Sequence, residues 1–140
     1  MHLVSVDGSQ TTVKRFNDTN DSTTLQLCLH QLLKYVSENH SDKTALICAN
    51  TTLTFGELNV FANRLARALV QRGVRNGDLI GVALDRSVDL VAVLLAVLKT
   101  GAAYVPIDPA FPAERIFQMM DDACPKLLIT GRNILKTFNS

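Results

Sequence analysis

The residues best placed to do chemistry are charged side chains in two loops. Asp85 and Arg86 follow the apolar run 79–84, and Asp108 follows the short run 103–105. If these runs are strands of an α/β sheet, their loops lie where such sheets bind ligands. Each residue also has a structural explanation. We interpret Asp85 and Arg86 as a loop ion pair or a helix-start charge, and Asp108 as the residue that holds a rigid Pro-Ile-Asp-Pro turn.

Other candidate catalytic groups do not converge. Asp121 and Asp122 are neighbours on a predicted helix, so their side chains point about 100° apart, and we interpret them as a solvated helix end. No serine has a partnered histidine and aspartate. The sequence contains neither G-x-G-x-x-G nor G-x-x-x-x-G-K-[ST], and neither loop is rich in glycine. We therefore predict no catalytic and no cofactor-binding residue in this chain.

Cysteine and histidine do not predict a metal site either. The chain has three of each, and their spacing does not complete a zinc motif: Cys28, Cys48, Cys124, His2, His30 and His40. Cys28 and His30 are close, but no second ligand pair accompanies them. We expect the cysteines to be buried free thiols in a reducing compartment.

Composition excludes several classes of partner. The chain has 140 residues, the length of one domain, with a net charge of +1, 6% aromatic residues and no tryptophan. Without a basic patch or stacking residues, we expect no nucleic acid partner. The longest apolar run, 90–98, is short of the roughly 20 residues that span a bilayer, and the N-terminus lacks the apolar core of a signal peptide. We therefore expect a cytoplasmic protein without a membrane partner.

The order of elements predicts an α/β fold. Residues 1–24 are polar and indicate a linker, and residues 25–140 form the domain. We predict a helix from Leu25, a strand and a short strand within 44–53, and a helix that starts at a Thr54–Glu57 capping box and ends at Gly73. Strands at 79–84, 103–106 and 126–130 alternate with helices at 88–99 and 112–123. Such alternation predicts parallel strands with right-handed crossovers.

Two segments resemble core motifs of one enzyme family. Residues 53–58, L-T-F-G-E-L, resemble the first core motif of the adenylation domains of nonribosomal peptide synthetases, L-[TS]-[YF]-x-E-L. Residues 98–108, L-K-T-G-A-A-Y-V-P-I-D, resemble the second, L-K-A-G-x-A-Y-V-P-[LI]-D, with Thr100 in place of the usual alanine. Residues 16–33 are similar to the linker that joins a condensation domain to an adenylation domain. The resemblance covers 14–132.

The resemblance implies a function for the complete enzyme rather than for this chain. Complete members use ATP and Mg²⁺ to convert an amino acid to an aminoacyl adenylate, which passes to the phosphopantetheine thiol of a carrier domain. In the family, the phosphate-binding loop and the residues that bind the amino acid and the ribose come later than residue 140. The resemblance thus implies a partial parallel sheet, the N-terminal portion of the large subdomain. It also implies no catalysis by the chain alone and, as partners, the remainder of the domain or other synthetase modules.

Two alternatives stay open at this point. One is a non-catalytic docking module, because a partial sheet leaves an apolar face and an open edge strand. The other is part of an acyl-CoA or aryl acid ligase. The sequence of residues 104–109, Y-V-P-I-D-P, favours the peptide synthetase branch over these ligases.

Overall fold

A computed structural model describes residues 28–131 of the chain. In chain order the elements are α1 (Leu29–Asn39), β1 (Thr44–Cys48), β2 (Thr51–Thr54), α2 (Phe55–Gln71), β3 (Leu79–Ala83), α3 (Val88–Lys99), β4 (Ala103–Pro106), α4 (Ala113–Ala123) and β5 (Leu127–Thr130). The predicted linker at 1–24, the proposed helix start at Leu25 and the segment 132–140 lie outside the described residues.

The strands form two sheets. β1 and β2 pair as an antiparallel hairpin, whereas β3, β4 and β5 form a parallel sheet in the order β4-β3-β5. The central strand β3 is buried from Ile80 to Ala83, in agreement with its continuous apolar sequence. The prediction of a parallel α/β sheet is confirmed.

Side-chain alternation on β3 separates two layers of helices. Ile80 and Val82 belong to a buried cluster with Val93 and Val97 of α3. Ala83, one position on, belongs to a cluster with Ile116 of α4. Because successive side chains of a strand point to opposite faces, α3 and α4 cover opposite sides of the sheet. The domain therefore has three layers at this point.

Helix α3 is covered on more than one side, as its apolar sequence predicts. Beyond the face that packs on the sheet, Ala92 and Leu95 are buried in a second cluster with Leu33 of α1 and Leu58 of α2. The helix begins where Ser87 Oγ accepts a hydrogen bond from the Leu90 amide at 3.2 Å. The sequence predicts this cap, because serine is a favoured N-cap residue and precedes the apolar run of the helix, and the structure confirms it.

Helix α2 has defined signals at both ends. Thr54 Oγ1 accepts from the Glu57 amide at 3.2 Å, and the Thr54 amide donates to Glu57 Oε2 at 2.9 Å, which confirms the capping box. At the other end Gly73 has φ of +86°, and the Val74 amide donates to the Leu69 carbonyl at 3.1 Å. Leu69 and Val74 are both buried, so this turn closes the helix and adds to the core.

Several predicted details are wrong. The apolar spacing predicts an inner face of α1 that contains Leu29, Leu32, Leu33 and Val36. Leu33 is buried and Val36 is partly buried, but Leu29 and Leu32 are 60% and 45% exposed. Ser37, one turn after Leu33, is also buried, and His30 is partly buried. The spacing also predicts Phe117 on the inner face of α4, yet it is 53% exposed, whereas Ile116 is buried.

Two element boundaries also differ from the prediction. The sequence predicts a turn over residues 49–52, but strand β2 already begins at Thr51. The hairpin turns more tightly than predicted, at Ala49, which has φ of +50°. The sequence predicts Pro112 in the first turn of α4, and the structure places it at the N-cap. Both differences are one or two residues and leave the topology unchanged.

Candidate functional site

A cleft of about 520 Å³ opens at the carboxyl ends of β3 and β4. Its walls come from the ends of these strands, the loops that follow them and the start of α3. The lining residues are Val82, Leu84, Asp85, Arg86, Leu90, Pro106, Ile107, Asp108, Pro109 and Phe111. This is the position at which open α/β sheets bind ligands. Both loops that the sequence singled out therefore contribute to one cleft.

The side chain of Asp108 is used within its own turn. Asp108 Oδ1 accepts a hydrogen bond from the Ala110 amide at 2.9 Å, and the Asp108 carbonyl accepts from the Phe111 amide at 3.1 Å. The turn-holding role expected for this residue is present in the structure. At the start of the same loop, the Ile107 amide donates to the Val82 carbonyl at 2.9 Å.

Asp85 and Arg86 do not form the expected ion pair. Within the described part of the chain, two pairs are within salt-bridge distance, Lys34–Glu38 and Lys126–Asp78. Asp85 and Arg86 are both exposed, so water solvates each charge and offers little gain from pairing. Asp85 lies shortly before α3, whose first turn contains the acidic residue Asp89. The interpretation of Asp85 as a helix-start charge stays a prediction.

The adjacent carboxylates Asp121 and Asp122 lie in the last turn of α4. Both are exposed, and the helix ends at Ala123, so the interpretation as a solvated helix end is confirmed. The Asp121 carbonyl accepts a hydrogen bond from the Cys124 thiol at 2.9 Å.

The three cysteines are free, but the expected burial is wrong. Cys28 and Cys124 are exposed, and Cys48 is partly buried. They lie at element ends rather than in the core: Cys28 caps the start of α1, Cys124 caps the end of α4, and Cys48 is the last residue of β1. Between residues 28 and 131, no group of three or more His, Cys, Asp or Glu residues could hold a metal ion.

The sequence did not predict the ion pair that ties the sheet to the end of α2. Lys126 Nζ lies 2.8 Å from Asp78 Oδ2 and donates to the Gly73 carbonyl at 2.6 Å. Asp78 Oδ2 also accepts from the Arg75 amide at 2.7 Å. The hydrogen bond from Lys126, followed by that from the Arg75 amide, lowers the pKa of Asp78 below its ordinary value of 3.8. This network is far from the cleft, at the amino ends of the strands, so it is structural.

The comparisons with known proteins give the class of protein first. The AMP-binding enzyme family matches residues 33–139, which is most of the chain and includes both loops of the cleft. The chain belongs to this family.

Individual relatives narrow the class. The chain is 51% identical over 127 residues to the PKS-NRPS hybrid synthetase acdB of Aspergillus candidus, covering 91% of this chain and 5% of that protein. It is 42% identical over 123 residues to malpinin synthetase of Mortierella alpina, covering 86% of this chain and 2% of that protein. The chain thus spans a small fraction of the synthetases it matches.

Solved structures give the same answer. The N-terminal subdomain of NpsA from Klebsiella oxytoca, in complex with anthranilyl-AMSN, superposes with a TM-score of 0.70 at 27% identity, covering 73% of this chain and 27% of that one. An artificially fused adenylation-PCP di-domain, NpsA-ThdA, superposes with a TM-score of 0.69 at 28% identity, covering 72% of this chain and 19% of that one. The chain is a part of a nonribosomal peptide synthetase adenylation domain, as the two core motifs implied.

One further finding concerns membranes. Over residues 28–131, no helix is long and apolar enough to cross a bilayer.

Proposed function

We propose that this chain is the scaffold of an amino acid adenylation site and does not carry out adenylation by itself. In the complete enzyme, the carboxylate of an amino acid attacks the α-phosphorus of ATP. An aminoacyl adenylate forms and pyrophosphate leaves, and a carrier thiol then displaces AMP to give a thioester. The family match and the synthetase relatives support this assignment.

The observation that carries the proposal is how the loop after β4 uses its own hydrogen-bond donors. The amides of Ile107, Ala110 and Phe111 donate to protein oxygens, and Pro109 has no amide hydrogen. Phosphate sites in α/β proteins depend on free backbone amides that point at the ligand. From 107 to 111, only the amide of Asp108 is left for such a role. The loop is a rigid turn, and it is not a phosphate cradle.

The charges of the cleft also do not fit ATP. Its lining has one cation, Arg86, and two carboxylates, Asp85 and Asp108, so the lining carries a net negative charge toward a polyanionic ligand. Neither carboxylate belongs to a group of three or more His, Cys, Asp or Glu residues within residues 28–131. ATP and its metal therefore need donors and charges beyond those of residues 28–131, which provide the apolar wall and the rigid turn beside them.

An ATP–pyrophosphate exchange assay tests the proposal. The purified 140-residue chain is incubated with labelled pyrophosphate, ATP, Mg²⁺ and a mixture of amino acids, and the complete adenylation domain from the same synthetase is the positive control. We expect exchange by the complete domain and only background from the chain. Exchange above background by the chain, abolished by omitting amino acids, would overturn the proposal.

The same exchange assay distinguishes two competing functions from the proposed one. For an aryl acid ligase, the NpsA complex with anthranilyl-AMSN is the relevant observation, and exchange by the complete domain with aryl acids but not amino acids would favour it. For a docking module without any enzymatic role, the complete domain would show no exchange with either class of acid. The cytoplasmic location, the domain boundary at 24/25 and the absence of catalytic residues in this chain stay predictions.

A further inference from the structure

A second groove, of about 760 Å³, lies at the end of the sheet opposite the cleft. Helix α3 starts beside the cleft and runs to Lys99, shortly before the first residue of β4, so the two openings are at opposite ends of the strands. The groove is bounded by α1, by one face of α2 and by the end of α3. Its lining residues are Lys34, Glu38, Asn59, Asn63, Ala66, Arg67, Val70, Gln71, Lys99 and Thr100.

The shape of this groove suits a segment of polypeptide. Asn59, Asn63, Ala66 and Val70 are spaced by four, three and four residues, so they form a continuous stripe along α2. From Asn59 to Gln71 the stripe is roughly 18 Å long at 1.5 Å per residue. That length accommodates about five or six residues of extended chain at 3.3 Å each. Val70, 56% exposed, gives the groove an apolar contact point at one end.

The charge of the groove is positive and incompletely neutralised. Lys34 and Glu38 are 3.9 Å apart with both side chains more than 60% exposed, so this pair is weak. Lys99 Nζ donates to a neutral partner, Asn59 Oδ1, at 2.8 Å. Neither Lys99 nor Arg67 pairs with a carboxylate among the residues that the structure describes. Three cations therefore face one carboxylate.

Lys99 lies in an environment that disfavours its positive charge. Partial burial, and then the positive charge of Lys34, lower the pKa of Lys99 below its ordinary value of 10.5. Two like charges close together without a counter-ion are unfavourable, and a bound anion offsets their repulsion. The other charged groups that line the groove are Arg67 and Glu38.

We propose that this groove docks an acidic peptide segment of a neighbouring domain, with carboxylates bound by Lys34, Arg67 and Lys99. Charge complementarity and the length of the groove point to a segment that carries two or more Asp or Glu residues and one apolar residue for Val70. Neighbouring domains are expected, since the chain spans 5% of a matched synthetase. The inference is independent of the adenylation chemistry, because the groove and the cleft share no residue.

A binding assay with a defined probe tests this. The probe is a fluorescein-labelled hexapeptide of alternating acidic pairs and leucine, Glu-Asp-Leu-Glu-Asp-Leu, and the measurement is fluorescence polarisation with the 140-residue chain at low ionic strength. We expect saturable binding that weakens with added salt. The matched peptide with Gln and Asn in place of Glu and Asp should bind about tenfold more weakly or not at all.

Charge-removal variants locate the binding. Arg67→Gln with Lys99→Gln should raise the Kd at least about tenfold. Arg64→Gln is the matched control, because Arg64 is an exposed cation of the same helix that does not line the groove, and its Kd should stay near that of the unchanged chain. Circular dichroism checks that each variant is folded. If the double variant is unstable, the Kd of Arg67→Gln alone is measured instead, because this position is exposed.

Four outcomes would overturn the docking proposal. These are no binding of the acidic peptide, equal binding of the neutral peptide, an equal loss of affinity with Arg64→Gln, and tighter binding of a single-stranded oligonucleotide that the acidic peptide fails to displace. The last result would assign the groove to nucleic acid, which the net charge of +1 and the 6% aromatic content disfavour.

Discussion

At the scale of single residues, the molecule uses its charged and small side chains mainly for structure. Asp108 was correctly predicted to hold a turn, because an aspartate side chain readily accepts a hydrogen bond from the backbone two residues further along the chain. The Asp78–Lys126 pair was not predicted, since its partners are far apart in sequence and only the parallel pairing of β3 with β5 brings them together. Local chemistry was predictable here, whereas contacts made by the topology were not.

The Asp78–Lys126 pair predicts a pH-dependent stability. Because the folded-state pKa of Asp78 is lowered from 3.8, its contribution is fully present above pH 3.8 and is lost as the pH falls through the lowered pKa. We expect Asp78→Asn to lower the midpoint of urea unfolding at neutral pH, as measured by circular dichroism. The difference from the unchanged chain should disappear in acid, below the lowered pKa.

A matched control for this prediction is Asp42→Asn, at an exposed position outside both salt bridges of the described residues. Its urea midpoint should differ little from that of the unchanged chain at either pH. A stability difference for Asp78→Asn that stayed the same at neutral and acidic pH would contradict the electrostatic explanation.

Gly81 shows a second kind of residue-scale constraint, which is space. A Cβ atom at this position of β3 would lie 3.0 Å from Leu128 Cδ1 and 3.4 Å from Met120 Sδ. Gly81→Val should therefore overpack the layer between the sheet and α4 and destabilise the fold by about 1–3 kcal/mol. Urea unfolding of Gly81→Val, Leu128→Ala and the double variant measures this. The double variant should be more stable than the sum of the single effects, and strict additivity would show that the two sites do not touch.

At the scale of elements, sequence patterns predicted most of the fold, because the signals are local. The capping box of α2, the cap of α3 and the apolar run of β3 each depend on residues within a few positions of one another. The inward face of α1 could not be predicted in the same way. Leucines recur around that helix, and which of them is buried depends on where α2 and α3 lie. Phe117 of α4 is exposed for a similar reason, since the side chain that α4 buries against the sheet is Ile116.

The capping box predicts an element-scale effect. Thr54→Ala removes the acceptor for the Glu57 amide at the start of α2 and should destabilise the fold by about 1 kcal/mol. Thr54→Ser keeps the hydroxyl and should recover most of that loss. Thermal or urea unfolding of the three chains measures the difference. If serine and alanine were equally destabilising, the lost methyl contacts rather than the cap would be responsible.

At the scale of the whole molecule, the parallel sheet is open at both edges within the described residues. β4 and β5 each pair with β3 and with no second strand there, and large apolar side chains such as Tyr104 and Phe111 are more than a third exposed. The sequence predicted this incompleteness through the family motifs. It could not predict the two openings of the fold, because the residues that line each one come from elements far apart in the chain.

An open sheet predicts association with the rest of an adenylation domain. Unpaired strand edges and exposed apolar side chains gain hydrogen bonds and burial when the missing layer is supplied in trans. We expect the chain, mixed with a separately produced polypeptide that carries the remainder of the domain, to form a one-to-one complex by gel filtration with light scattering. Fluorescence of a dye that binds exposed apolar surface should fall as the complex forms.

Charge substitutions identify the surface that becomes covered in this complex. Tyr104→Lys places a charge on the edge strand β4, at a side chain that is 39% exposed, so the isolated chain should tolerate it while the complex weakens. Thr51→Lys adds the same charge at an exposed position of the hairpin and is the matched control. If neither substitution weakens association, the complex does not cover the β4 edge. If both substitutions weaken association equally, the added charge itself is the cause. Burial of the β4 edge would weaken association for Tyr104→Lys alone.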